Sequence, residues 1–111
     1  MQSPVKGRRY GRIGLPRGLV VVWQGSGDRI VSRVATLGLG GLFIEVTEPA
    51  ASGEVVKLYF KVPNGEVRAR ATVRDSHPGK GMGVEFTAMG PEDRARLNQL
   101  LVKLLGPAPG A

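Results

Sequence analysis

VKLYFKVPNGEVRARATVR, residues 56–74, contains the pattern that decides the fold. On both sides of Pro63-Asn64-Gly65, apolar residues alternate with polar ones, which predicts two strands that each turn one face toward a core. Asn-Gly accepts the positive φ angles that a two-residue hairpin turn requires. The stretch therefore predicts a β-hairpin with its tight turn at Pro63-Asn64-Gly65.

Strand character recurs in four other segments, residues 19–24, 29–35, 42–46 and 82–86. Residues 13–18 contain two glycines and a proline, so we expect them to be extended but irregular, and we expect residues 75–80 to form a loop. Six short antiparallel strands with short connections usually form a small barrel or a sandwich, because this removes exposed edges. The predicted fold class is all-β, with six antiparallel strands in a barrel or sandwich followed by one C-terminal helix.

The last segment changes to a helical period. Pro91 suits a first helical position, and Glu92 and Asp93 suit the positive first turn. Five leucines then form one apolar stripe, at positions 97, 100, 101, 104 and 105. The stripe either caps the barrel or meets a partner's helix, and capping is the favoured interpretation. The predicted domain spans residues 8–105, between a flexible tail at 1–7 and a short tail at 106–111.

Charge is concentrated near the start of the chain. The net charge is +7, and residues 1–33 carry seven arginines and lysines against one aspartate. Such an excess predicts an anionic partner. The chain has no cysteine, which excludes disulfides, cysteine-ligated metals and a thiol nucleophile, and fits a reducing cytoplasm. The longest apolar run, residues 19–23, is too short for a membrane-spanning helix.

Catalytic residue patterns are missing from the sequence. The single histidine, His77, stands in a His-Pro-Gly turn without a second histidine or a cysteine, so it is interpreted as a solvated turn residue. The glycines at 38, 40 and 41 lie between two predicted strands, so they are not a dinucleotide fingerprint. We expect neither a catalytic nor a metal site, and no cofactor.

Three segments together resemble the PilZ domain family. Arg8-Arg9-x-x-Arg12 precedes the first strand, Thr36-Leu37-Gly38-Leu39-Gly40-Gly41-Leu42-Phe43-Ile44 spans a strand connection, and Gly81-Met82-Gly83-Val84-Glu85-Phe86 precedes the terminal helix. The resemblance implies a six-stranded barrel whose ligand is the bacterial second messenger cyclic di-GMP. It further implies that the Arg-x-x-x-Arg pair, Arg8 and Arg12, with Arg9 beside it, holds phosphates and guanine edges.

The second family motif, Asp/Asn-x-Ser-x-x-Gly, is altered in this sequence. Its glycine falls on Gly41, while Thr36 stands at the acidic or amide position and Gly38 at the serine position. Thr36 keeps a hydroxyl but offers no carboxylate, and Gly38 offers no side-chain hydrogen bond. Because the arginine motif is intact, we expect binding to be retained through Arg8, Arg9, Arg12, Thr36, Gly38 and Gly41, with the signal passed to a protein partner.

Two other functions remain open at this stage. One is a PilZ-like interaction module that no longer binds nucleotide. The other, less favoured, is a basic barrel that binds nucleic acid, with Tyr10, Trp23 and Tyr59 as candidate stacking residues. Trp23 and Tyr59 are instead expected to pack inside the barrel. A monomer and a homodimer both fit the sequence.

Overall fold

The computed structural model describes residues 13–105, with the side chains of residues 19–104. Six strands precede one helix: β1 Ile13–Gln24, β2 Ile30–Leu37, β3 Gly41–Glu45, β4 Val55–Val62, β5 Gly65–His77, β6 Gly81–Met89 and α1 Pro91–Leu105. The tails predicted at 1–7 and 106–111 lie outside the described residues, and so do Arg8, Arg9 and Arg12.

The strands form a closed barrel in the order β1-β2-β3-β6-β5-β4, and every neighbouring pair is antiparallel. Pairing of β4 with β1 closes the sheet, through Val22 opposite Tyr59 and Trp23 opposite Leu58. Closure leaves no edge strand to pair with another chain. The predicted fold class, an all-β barrel with one C-terminal helix, is confirmed.

The alternating apolar residues fill the barrel. In β4 the inward side chains are buried, namely Val56, Leu58, Phe60 and Val62, and in β6 Met82, Val84 and Phe86 are buried in the same way. The residues between them point outward, as the side-chain period of a strand requires. The core is therefore one continuous cluster, built mainly of β-branched and leucine side chains.

The first strand is longer than its β-branched run. It begins at Ile13, and its pairing with β2 shifts register between Gly14 and Leu19. Pro16 lies inside this irregularity, where its missing N–H breaks no ladder bond. The expectation of an extended but irregular segment at residues 13–18 therefore corresponds to a bulged continuation of β1.

The β4–β5 turn lies within the predicted Pro63-Asn64-Gly65 segment, but its backbone differs from the one that Asn-Gly predicts. Val62 lies opposite Gly65, so the two turn residues are Pro63 and Asn64. Asn64 has no positive φ, whereas Gly65 has a φ of 141°. Proline fixes a φ suited to the first central position of a type I turn, and glycine is favoured at its last position. Pro63 thus overrides the Asn-Gly preference.

The fifth strand continues through residues predicted to be a loop. It reaches His77, which lies opposite Gly81, so that only residues 78–80 connect it to β6. Beyond Val73 the side chains leave the core, and the hydroxyl of Ser76 donates to the carbonyl of Ala50 at 2.9 Å. The predicted loop at 75–80 is therefore wrong for residues 75–77, because backbone pairing extends this ribbon without an apolar pattern, and it is confirmed for residues 78–80.

The helix caps the barrel with part of its leucine stripe. Leu97, Leu100 and Leu101 are buried in the core cluster, while Leu104 is 37% exposed. The backbone N–H of Arg68 on β5 donates to Oδ1 of Asp93 at 3.0 Å, which ties the first turn of α1 to the sheet. Capping, the favoured interpretation of the stripe, is therefore confirmed for these three leucines.

Candidate functional site

The connection between β2 and β3 is short and tightly closed. Leu37 lies opposite Leu42, and the N–H of Gly38 donates to the carbonyl of Gly41 at 2.9 Å. Thr36 lies one step earlier on β2, half-buried and opposite Phe43. Three of the predicted site residues, Thr36, Gly38 and Gly41, are thus brought together at one end of the barrel.

Gly41 is required by close packing. It lies opposite Glu85 on β6, and a Cβ at position 41 would overlap the carbonyl oxygen of Val84. The neighbouring carbonyl of Gly40 accepts a hydrogen bond from the N–H of Phe86 at 2.8 Å. The β2–β3 connection is therefore held against β6 by its own backbone.

The first strand begins beside this connection. Ile13 pairs with Leu37, and Gly14 pairs with Thr36. Arg12 precedes Ile13 directly in the sequence and lies outside the described residues. The described part of the chain thus starts next to Thr36 and Gly38, the two altered positions of the second motif.

An aromatic side chain lies on the outer surface next to Thr36. Phe43 is half-buried, with Thr36 opposite it on β2 and Gly83 opposite it on β6. Its ring reaches toward His77, with 6.4 Å between the ring centroids, and a Cβ at Gly81 would come 2.7 Å from Phe43 Cε2. The absence of a side chain at Gly81 therefore leaves room for this ring.

Arg94 is a site residue that sequence reasoning missed. Its guanidinium donates to the carbonyl oxygen of Leu39 at 3.4 Å, from the N-terminal end of α1. The side chain is exposed, so the guanidinium retains free donors at the β2–β3 connection. One signal was available, since a cation this near a helix N-terminus opposes the helix dipole.

His77 has the surroundings of a surface residue. It is exposed at the end of β5, where its backbone carbonyl accepts from the N–H of Lys80 at 2.9 Å. Within residues 13–105, no three histidine, aspartate, glutamate or cysteine side chains come close enough to hold a metal ion. Over the same residues, no helix has the length and apolar character needed to cross a membrane.

Trp23 and Tyr59, both expected to pack inside the barrel, have different surroundings. Trp23 is 4% exposed, and its indole N–H donates to the hydroxyl of buried Ser32 at 3.0 Å, so the packing prediction is confirmed for it. The packing prediction is wrong for Tyr59. Tyr59 lies on the outer face of β4, because it is out of phase with buried Leu58 and Phe60, and the Arg68 guanidinium carbon lies 5.6 Å from its ring centroid.

A family model described as the PilZ domain matches residues 6–103, nearly the whole chain. The chain belongs to the PilZ domain family. The resemblance stated from the three motifs is confirmed, and PilZ is a family of receptor and adaptor domains rather than of enzymes. No curated protein sequence matches the chain.

Solved structures with the same fold include other PilZ domains. The PilZ domain of CeSA from a cellulose-synthesizing bacterium has a TM-score of 0.66 at 17% identity, over 86% of this chain and 98% of that one. The Bacillus subtilis inhibitor of motility, MotI/DgrA, gives 0.71 at 21% identity, over 91% of this chain and 53% of that one. The K. pneumonia MrkH–c-di-GMP complex gives 0.69 at 16% identity, with coverage of 91% and 53%. This PilZ chain therefore spans about half the length of MotI/DgrA and MrkH.

Proposed function

We propose that this PilZ domain is a bacterial, cytoplasmic receptor for cyclic di-GMP. The observation that carries the proposal is the pairing of Ile13 with Leu37, since it brings the chain that follows Arg12 beside Thr36 and Gly38. The family match and the neighbour solved as a c-di-GMP complex support the same ligand. Output then passes to a downstream protein partner.

The chemistry of the ligand fits these residues. Cyclic di-GMP carries two phosphates and two guanines, and guanidinium groups form paired hydrogen bonds with both phosphate oxygens and the O6/N7 edge of guanine. Arg8, Arg9 and Arg12 supply these groups. Gly38 and Gly41 leave the backbone of the β2–β3 connection without side chains on the ligand side, and Thr36 supplies a hydroxyl.

Arg94 offsets part of what the second motif has lost. Two ordinary hydrogen bonds are missing at Thr36 and Gly38, which together weaken binding by roughly 1–3 kcal/mol, or about tenfold to a hundredfold. A charge-assisted hydrogen bond contributes about 1.5–3 kcal/mol. The exposed guanidinium at Leu39 can supply one such bond from the helix. The expected affinity is therefore close to that of a complete motif.

Calorimetric titration with cyclic di-GMP tests the assignment. Arg8→Ala and Arg12→Ala are each expected to abolish the binding heat. The matched control is Arg70→Ala, which removes an exposed arginine from β5 and should leave the affinity unchanged. Equal losses in all three variants would mean nonspecific attraction between the cationic chain and an anion, and would reject the receptor assignment.

The altered second motif favours one alternative, an interaction module that no longer binds nucleotide. Thr36 and Gly38 are its specific observation, because neither offers the carboxylate or hydroxyl of the family pattern at its position. Absence of binding heat at high micromolar cyclic di-GMP in the wild-type chain, together with recovery in Thr36→Asp/Gly38→Ser, would favour this module. Gly38 has no positive φ, so its backbone accepts serine.

A further inference from the structure

An open groove lies on the far side of the barrel from the β2–β3 connection. It is centred on β4, which is three strands from β3 in either direction around the barrel. Its volume is about 900 Å³, and its walls come from β1, β4, β5 and the end of β6. Four cationic side chains line it, namely Arg29, Lys57, Arg68 and Arg70. We call it the β4 groove.

The cations of the β4 groove are poorly balanced by acids. Lys57 lies directly opposite Arg70, with uncharged Gln24 beyond Lys57 and Ala88 beyond Arg70. Among the side chains that the structure describes, Arg29, Lys57 and Arg70 form no ion pair, whereas Arg68 contacts Glu66 at 3.2 Å. Like charges directly opposite each other destabilise a sheet. An anion that binds to this row would therefore relieve the repulsion between Lys57 and Arg70.

Other parts of the barrel surface show the usual balance. Arg33 on β2 lies opposite Glu45 on β3. Arg74 on β5 contacts Glu85 on β6, with 2.6 Å between Nε and Oε1. The contrast shows that the surplus around Lys57 and Arg70 is local, and does not simply follow from the high overall charge of the chain.

An apolar strip borders the cations. Val31, Val22 and Tyr59 form one cross-strand row on the outer face of β2, β1 and β4, and Val20 lies on the same face of β1. Val31 is 66% exposed and Val20 49% exposed. Such highly exposed β-branched side chains next to a cationic groove suit a ligand that has both apolar groups and carboxylates.

We propose that the β4 groove and its valine strip dock an acidic amphipathic segment of a partner protein. Its apolar side chains would cover Val31 and Val22, and its carboxylates would pair with Lys57 and Arg70. The groove is concave, which suits a chain segment better than a flat bilayer surface. The strip offers nucleic-acid bases one outward-facing aromatic ring, Tyr59, and the Arg68 guanidinium already lies over it. The chain's own residues 1–12 carry four cations and no acid.

Docking at the β4 groove is independent of the nucleotide site. β4 lies three strands from β3 in either direction around the barrel, so the domain can join a signal-binding face to an output face. Lys57 and Arg70 lie on β4 and β5, neither of which pairs with β2 or β3. Peptide docking can therefore be tested whether or not the chain binds cyclic di-GMP. Variants of each face show separately which of the two ligands is lost.

Fluorescence anisotropy with a labelled peptide of alternating leucine and glutamate tests the docking surface on the full chain. Lys57→Gln/Arg70→Gln is expected to weaken peptide binding at least tenfold, and Val31→Ser several-fold. The control Arg74→Gln/Lys80→Gln removes the same charges from outside the groove and should leave binding unchanged. Arg12→Ala should retain peptide binding, while Lys57→Gln/Arg70→Gln should retain cyclic di-GMP binding.

Several results would overturn the proposal. Equal weakening by the two double variants would indicate attraction to net charge alone. Equal binding of an alanine–glutamate peptide would remove the role of the valine strip. Stronger binding to phosphatidylglycerol vesicles or to a poly-dT oligonucleotide would assign the surface to a membrane or to nucleic acid. A sedimentation profile showing a dimer that Lys57→Gln/Arg70→Gln dissociates would assign it to a second copy.

Discussion

At the residue scale, Gly41 joins the barrel to its candidate site. The backbone of β3 passes so close to Val84 that a side chain has no room. A glycine at this position is therefore required by packing, whether or not a ligand binds beside it. The motif glycine is kept here although Thr36 and Gly38 depart from the pattern.

Gly41→Ala is expected to destabilise the domain by about 1–3 kcal/mol, the usual cost of overpacking. The obstacle is the backbone carbonyl of Val84, which cannot move aside as a flexible side chain can. Chemical denaturation measures the change. Gly27→Ala is the control, because a Cβ there meets nothing within 4 Å and its φ is not positive. Equal stability of the two variants would contradict the packing argument.

Arg94 is also a single-residue feature, and its expected effect on ligand binding comes from its charge. We expect Arg94→Ala to weaken cyclic di-GMP binding by roughly 1.5–3 kcal/mol, about tenfold or more, since it removes a charged donor beside Leu39. Thermal stability should be unchanged or slightly raised, because the helix dipole disfavours a cation near its N-terminus. Calorimetry with Lys103→Ala, at the other end of α1, is the control. Unchanged affinity in Arg94→Ala would exclude Arg94 from the site.

At the element scale, strand register decides which charges face each other. Residues of β4 and β5 pair without interruption from Val55 opposite Thr72 to Val62 opposite Gly65. This register sets Lys57 against Arg70 but Lys61 against Glu66. Two lysines of one strand, both exposed, therefore have opposite electrostatic surroundings.

Charge reversal at these two lysines should have effects of opposite sign. Lys57→Glu is expected to raise the free energy of unfolding by about 0.2–1 kcal/mol, because it replaces a like-charged pair with an attractive one. Lys61→Glu should lower it by a similar amount, since it opposes Glu66. Urea denaturation at low salt measures both. Changes of the same sign would mean that cross-strand charge does not govern stability on this face.

Tyr59 shows how the β4–β5 pairing shifts the pKa of an outward-facing phenol. A hydrogen bond with Glu66 raises the pKa of Tyr59 above its ordinary value, with desolvation and the Glu66 charge acting in the same direction. The nearby Arg68 charge acts against them. The phenol therefore remains protonated and donating over the physiological pH range, beside the cations of the β4 groove.

At the scale of the whole molecule, the closed barrel separates two functional faces. The β2–β3 connection and the start of β1 meet at one end, where α1 contributes Arg94. The β4 groove is centred three strands from β3 around the closed sheet, and its lining reaches Trp23 and Leu58 of the continuous apolar core. A rigid core of this kind keeps both faces in place while either is occupied.

Ligand binding should be visible as stabilisation of the whole domain. A ligand at a hundredfold excess over its Kd adds about 2.7 kcal/mol to the folded state, which corresponds to a rise in Tm of roughly 10–20 °C for a domain of this size. We expect cyclic di-GMP to produce this rise in the wild-type chain by differential scanning calorimetry. Arg12→Ala should show none, and a rise of equal size in Arg12→Ala would contradict the assigned site.

Much of the architecture was readable from local patterns in the chain. Alternation at Val56, Leu58 and Phe60 predicts an inward face whatever the partner strand is, because side chains of a strand point to opposite sides in turn. The leucine stripe predicts a capping helix for a similar reason, since 97, 100 and 101 share one helical face. The family motifs are short contiguous segments, so they too can be recognised in the sequence without knowledge of the tertiary structure.

Other features depend on residues that are distant in sequence. Register and packing between segments decide how far β5 pairs with β6, that the guanidinium of Arg94 reaches Leu39, and that Gln24, Lys57, Arg70 and Ala88 form one row. No local period encodes such neighbours, since each depends on how two elements meet. The amino-acid pattern alone thus determined the barrel, its capping helix and its family. Tertiary pairing decided which charges share a surface, and hence where a second face for a partner lies.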